Sequence, residues 1–248
     1  MRFDISRRAA MQATLASLAV IAPQQSALAI SATTMTGKTK AELGMVLVEA
    51  PKVDGKTLSA DLVLDGGLIA TTSFESKWSL AEGGYYDFEA LSKEGESAFV
   101  QVLALDKGQG LDSVPKSVFS NALFSVDGRY GAYGAPTDIK IKETDKEGKA
   151  RTFDISFTVL SPSMAELPRK GVVRALQAPG SPDVLLLTAS SSATRWAKTS
   201  AEADARSAIA SFRVAGTRPS ALKRDFSADY RFGKTSGPSN MSSRNDGF

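Results

Sequence analysis

The run Val184-Leu185-Leu186-Leu187-Thr188-Ala189 has no polar side to turn to water. A strand shows alternate residues to opposite faces, so a run that is apolar on both faces must be covered on both. That requirement predicts a central strand in a sheet with a layer above and a layer below.

The rest of the chain supplies the sheet and its layers. Leu58, Ala60, Leu62 and Leu64 alternate, and Gly66-Gly67 turns that strand into Leu68 to Phe74, a hairpin. Tyr85 to Leu91 and Ala98 to Leu105, joined by the polar turn Lys93 to Glu96, read as a second hairpin. Further strands are predicted at Asp138 to Lys142, Arg151 to Leu160 (with Phe153, Ile155, Phe157 and Val159 on one face) and Val172 to Gln177. Val114, Val118, Ala122 and Leu123 fall at helical spacing after Asp112 and Ser113, which can cap, and this predicts a helix over 113–124 closed by Asp127 and Gly128. Thr199 with Glu202 has the spacing of a capping box, and Ala205, Ala208, Ile209 and Phe212 form the apolar face of a last helix stopped by Gly216. Hairpins with one helix in the middle and one near the end make an α+β fold, an antiparallel β-sheet sandwiched by helices.

The ends differ from this body. Ser6, Arg7 and Arg8 precede the apolar run Ala9 to Ala22, and Ala27-Leu28-Ala29 is the small-x-small pattern of a signal peptidase site, so residues 1–29 read as a cleavable export signal of the twin-arginine type. The run is shorter than a membrane span. Residues 30–43 read as a flexible leader and 44–215 as the folded domain. Residues 216–248, rich in Ser, Gly, Arg and Lys, read as a disordered basic tail. The formal charge of +3 divides into +2 over residues 1–29, +3 over 216–248 and about −2 over the body, which gives no nucleic-acid surface.

Composition then removes whole chemistries. With neither cysteine nor histidine there is no disulfide, no Ser-His-Asp or Cys-His catalysis and no ordinary zinc site. An oxygen-ligated metal such as calcium is left open. Asp87 and Glu89 lie two apart on a predicted strand, with Tyr86 and Phe88 pointing inward. They could help hold calcium, but the six to eight oxygens and the EF-hand spacing are missing, and a solvated sheet face is the expectation. Ser113-Val114-Pro115-Lys116 matches S-x-x-K of serine acylases without its companion motifs, and Ser113 there reads as a helix cap. The glycine-spaced segment 128–136 lacks G-K-[ST] and reads as a tight turn, with Arg129, Tyr130 and Tyr133 offered as an exposed contact patch. Arg195 and Trp196 are a second candidate partner surface, against the plainer reading that the tryptophan packs over the last helix.

Four elements together resemble the second half of PsbP-domain proteins: Arg151 to Phe157, the apolar strand Val184 to Ala189, Arg195-Trp196, and the last helix closing with Ser211-Phe212-Arg213. Trp78-Ser79-Leu80, Gly83 to Glu89 and Gly128 to Asp138 are similar to the matching parts of a lumenal PsbP-like branch, and the resemblance spans about residues 44–214. It implies an α-β-α sandwich and a chloroplast thylakoid-lumen address, the twin-arginine signal being a common route there. It also implies peripheral membrane association with photosystem II at the oxygen-evolving complex, or with another thylakoid complex, in stabilisation, ion retention or assembly. No catalysis is implied, and calcium enters only by the resemblance. The alternatives are an exported hydrolase or transferase using Ser-Lys or carboxylate chemistry, and a bacterial periplasmic binding module of the same fold.

Overall fold

The structure, a computed structural model, describes residues 44–81, 88–126, 128–131 and 133–224. Eleven strands and three helices are described: β1 (Lys52–Asp54), β2 (Thr57–Leu64), β3 (Leu68–Glu75), β4 (Ser79–Leu80), β5 (Glu89–Leu91), β6 (Ser97–Ala104), α1 (Lys116–Phe124), β7 (Thr137–Glu147), β8 (Ala150–Leu160), β9 (Glu166–Gln177), β10 (Asp183–Ser192), α2 (Ala193–Lys198), α3 (Ala201–Ser211) and β11 (Arg213–Pro219). The signal residues Arg7, Arg8, Ala27 and Ala29, the leader 30–43, and Asp87 lie outside the described residues.

Strand β10 is where its sequence demands. In the seven-stranded antiparallel sheet β4-β5-β6-β10-β9-β8-β7 it is the fourth strand, paired with β6 on one side and β9 on the other. Alternation then sorts its side chains. Val184 and Leu186 join Phe153, Ile155 and Phe157 of β8 under Phe119, Leu123 and Phe124 of α1. Leu185, Leu187 and Ala189 face the other way, onto Ala205, Ala208 and Ile209 of α3 and the inward face of a second sheet. That sheet, β1-β2-β3-β11, contributes Leu58, Ala60, Leu62 and Phe74. The fold is α+β, with the large antiparallel sheet between helices. The first hairpin departs from the expected single sheet by belonging to its own sheet on the α3 side.

Several boundaries differ from the sequence reading, each for a local reason. The first helix starts at Lys116 after a separate 3-10 turn over Leu111–Ser113. Its N-cap is Pro115, which has no side-chain oxygen, and Ser113 Oγ donates instead to the Gly110 carbonyl (2.8 Å). The capping box does not form. Thr199 is occupied at the end of the short helix α2, donating to the Arg195 carbonyl (2.8 Å), and Glu202 pairs with Arg206 (2.8 Å). Helix α2 itself, capped by Ser192 accepting from the Arg195 amide, was not expected. Strand β7 runs on through its charged second half to a turn at Gly148, and β9 begins six residues before Val172.

The largest correction concerns the tail. Helix α3 ends at Ser211, before Gly216, and β11 pairs antiparallel with β3. Beyond it the Ser220 amide donates to the Gly67 carbonyl (2.6 Å). Arg224 then reaches Asp183 (2.7 Å), a carboxylate with no exposure, and the Gly44 carbonyl (2.8 Å). Residues 216–224 are therefore ordered by the body, and the remainder of the basic tail lies outside the described residues.

Candidate functional site

The glycine-spaced loop folds as its period dictates. The Gly128 amide donates to the Ser125 carbonyl, Gly131 to Gly128 and Gly134 to Gly131, at 3.0, 3.1 and 3.1 Å, so glycines three apart close successive four-residue turns that share their end residues. Gly131 is required as such, because a Cβ there would overlap the Val126 carbonyl. This chain of turns lays Arg129 and Tyr130 down onto the α1 face of the large sheet.

Both side chains end inside the protein. The Tyr130 ring packs on Phe157 (4.5 Å between centroids) and edge-on to Phe99 (5.7 Å), and its hydroxyl meets Ser190 Oγ at 2.9 Å. Burial pushes the phenol above its ordinary range, against the opposing pull of the Arg169 charge and the Ser190 hydrogen bond. Arg129, with a side chain only 10 % exposed, donates to both carboxylate oxygens of Glu89 at 2.6 Å. Glu89 is 3 % exposed. The expected exposed patch at Arg129 and Tyr130, and the expected solvated face at Glu89, are thus both replaced by a buried network. Glu89, bonded through both oxygens to a guanidinium, is not available as a calcium ligand.

The network continues around the β5–β6 turn. Arg169 of β9 donates to Ser190 Oγ (2.9 Å) and to the Gly95 carbonyl (3.1 Å), while its buried Nε has no partner. Burial lowers the Arg169 pKa from the ordinary arginine value. Glu96 is buried, accepts from Ser92 Oγ, and takes the Arg195 Nε at 2.5 Å. Arg195 therefore ties α2 to the β5–β6 turn, and Trp196 beside it is buried in the core with Ala205 and Ile209, as the plainer reading held. Tyr133 is half-buried. Of the residues singled out from the sequence, Glu89 and Arg129 meet directly, Tyr130 joins through Ser190 and Arg169, and Arg195 joins through Glu96. Arg169, Glu96 and Ser190 were not foreseen. Arg169-Lys170 ahead of the predicted Val172 strand was the one available signal.

This arrangement fixes charge and leaves little to react. Among the described residues every buried carboxylate, Glu89, Glu96 and Asp183, is paired with an arginine, and no cluster of metal-ligating side chains is found. Ser113 and Lys116 do not form an activated pair: the serine donates to the Gly110 carbonyl, and the lysine amine is turned to Glu143, 4.0 Å away.

No family model matches the chain, and no curated protein matches it. Among solved structures it is similar to the solution structure of cyanobacterial PsbP from Synechocystis sp. PCC 6803, at 12 % identity and a TM-score of 0.38, covering 67 % of this chain and 92 % of that one.

Proposed function

We propose that this chain is a non-enzymatic extrinsic protein of the thylakoid lumen that docks on photosystem II at the oxygen-evolving complex and serves its stabilisation, ion retention or assembly. The address comes from the Arg7-Arg8 export signal and from the residues that resemble PsbP-domain proteins. Those residues fall on β8, β10, α2 and the end of α3, which pack around one sheet. The observation that carries the non-catalytic part is the closure of the buried charges. Glu89, Glu96 and Asp183 each face a guanidinium, and burial favours the neutral Tyr130 phenol, so among the described residues no buried carboxylate is left free as an acid or base. Such a body binds by its surface.

The test is retrieval of the tagged mature chain from detergent-solubilised thylakoids at low salt. Recovery of photosystem II subunits is expected. Recovery of no membrane complex, together with hydrolysis of ester or amide substrates that is lost on Ser113→Ala, would establish the exported-hydrolase alternative instead.

A further inference from the structure

Helix α3 packs on β10, β9 and β3 and stops short of the outer strands, so the α3-side face of β7 and β8 has no helix over it among the described residues. Register decides what stands there. Lys140, Ser156 and Lys170 are directly opposite one another across β7, β8 and β9. Lys142 and Asp154 occupy the next row, and Asp145, Thr152 and Arg174 are opposite one another in the row after, with Asp145 exposed at the β7 edge. Lys140, Lys142 and Lys170 are exposed and Arg174 is half-buried. Of the two carboxylates in these rows, Asp154 in the middle is committed to Arg206 of α3 at 3.1 Å and Asp145 lies at the edge, so the cations outnumber the acids. None of the three lysines nor Arg174 has an ion pair among the described residues, and Arg174 Nε is buried without any partner.

We infer that this open face is a docking surface for an acidic polypeptide segment in extended conformation, the contact through which the proposed docking function is carried out. Strands about 4.8 Å apart with a rise of about 3.4 Å per residue place Lys140 about 10 Å from Lys170 and about 7 Å from Lys142. Alternate carboxylates of an extended peptide recur at about 7 Å, the same spacing. Charges within about one Debye length of each other act together on a ligand, and they repel each other when it is absent. The half-buried Arg174 guanidinium adds a further positive charge beside them. The chemistry selects a protein over the other polyanions. No aromatic side chain stands in these rows to stack a base, and Val172, the apolar residue among them, is buried, so nothing there inserts into a bilayer.

The test uses fluorescein-labelled hexaglutamate and the full mature chain at low ionic strength. Lys140→Glu with Lys142→Glu and Lys170→Glu should weaken binding by about tenfold or more, whereas the equal charge change Lys56→Glu, Lys93→Glu and Lys107→Glu, at exposed turn positions, should weaken it far less. Amide shifts of the unaltered protein on adding the peptide should centre on residues 140–142, 154–156 and 170–174, a readout that does not depend on the variant folding. Equal loss in both triple variants, or shifts centred elsewhere, overturns the surface. So does binding to phosphatidylglycerol vesicles through these lysines without binding to hexaglutamate. Retention on solubilised thylakoid complexes separates the two claims. If the Lys140, Lys142, Lys170 variant is retained as well as the unaltered chain, the face is wrong and the function stands. If the unaltered chain binds hexaglutamate through this face but is not retained on any complex, the face stands and the function fails.

Discussion

Arg151 shows how a single buried guanidinium can hold several elements. Its Nε donates to Glu143 of β7 (2.7 Å) and its Nη1 to the Leu111 carbonyl (3.1 Å). The group lies over the rings of Phe119 (4.9 Å) and Phe153 (5.2 Å). Arg151→Met keeps the bulk but strands those acceptors, and is expected to cost about 3 kcal/mol in urea denaturation with an unchanged slope. Arg151→Lys should recover only part of it, because an ammonium cannot reproduce the planar fork. Glu143 adds a pH dependence. The Arg151 hydrogen bond is the largest effect on its carboxyl; burial opposes it, and the Arg151 charge, smaller than burial, helps to hold the carboxyl below the usual value. A depressed folded pKa contributes stability above the unfolded value and loses it as pH falls through the folded one. Glu143→Gln should therefore lower stability near neutrality and flatten the loss on acidification below about pH 4, followed by thermal midpoints across pH.

At the scale of elements, the segment after α3 is the most informative. Strand β11 closes the small sheet, and Arg224 then joins Asp183, at the start of β10, to Gly44 at the entry of the body. Arg224→Ala would leave the Asp183 carboxylate with donors from the Asp65 amide and the Ser181 hydroxyl but no cation, at an expected cost of about 3 kcal/mol. Removing residues 217–248 should cost more than about 2 kcal/mol, the opposite of what a disordered tail predicts, and chemical denaturation of the truncated chain checks it. Elements legible in the sequence were those whose signal is local. The β2–β3 hairpin carries alternation and a Gly-Gly turn, and β10 carries an apolar run no other position could satisfy. Strand β11 carries no such signal, since Arg213-Val214-Ala215-Gly216-Thr217-Arg218-Pro219 is mostly exposed and is held by backbone pairing with β3. Helix α2 is too short for a period to declare itself, and once it forms it takes Thr199 away from the next helix. The burial of Tyr130 and Glu89 was illegible for a similar reason. The turn spacing of the glycines was visible, but which side of the sheet the turns lie against is decided by Phe99, Phe157 and Ser190, which are distant in sequence.

The whole molecule separates fixed charge from available charge. At one end of the large sheet, arginines and carboxylates neutralise one another in the interior, and across the open rows of β7, β8 and β9 lysines stand without partners. An attachment made by such lysines is screened by salt, whereas one made by apolar burial is not. The most direct measurement is a wash of isolated thylakoids, following the mature chain by immunoblot at low salt and again at about 1 M, where the screening length falls from about 10 Å to about 3 Å. The account predicts that the chain sediments with the membranes at low salt and passes into the supernatant at about 1 M without detergent. A chain that stays with the membranes at high salt, or never sediments with them at low salt, would contradict it.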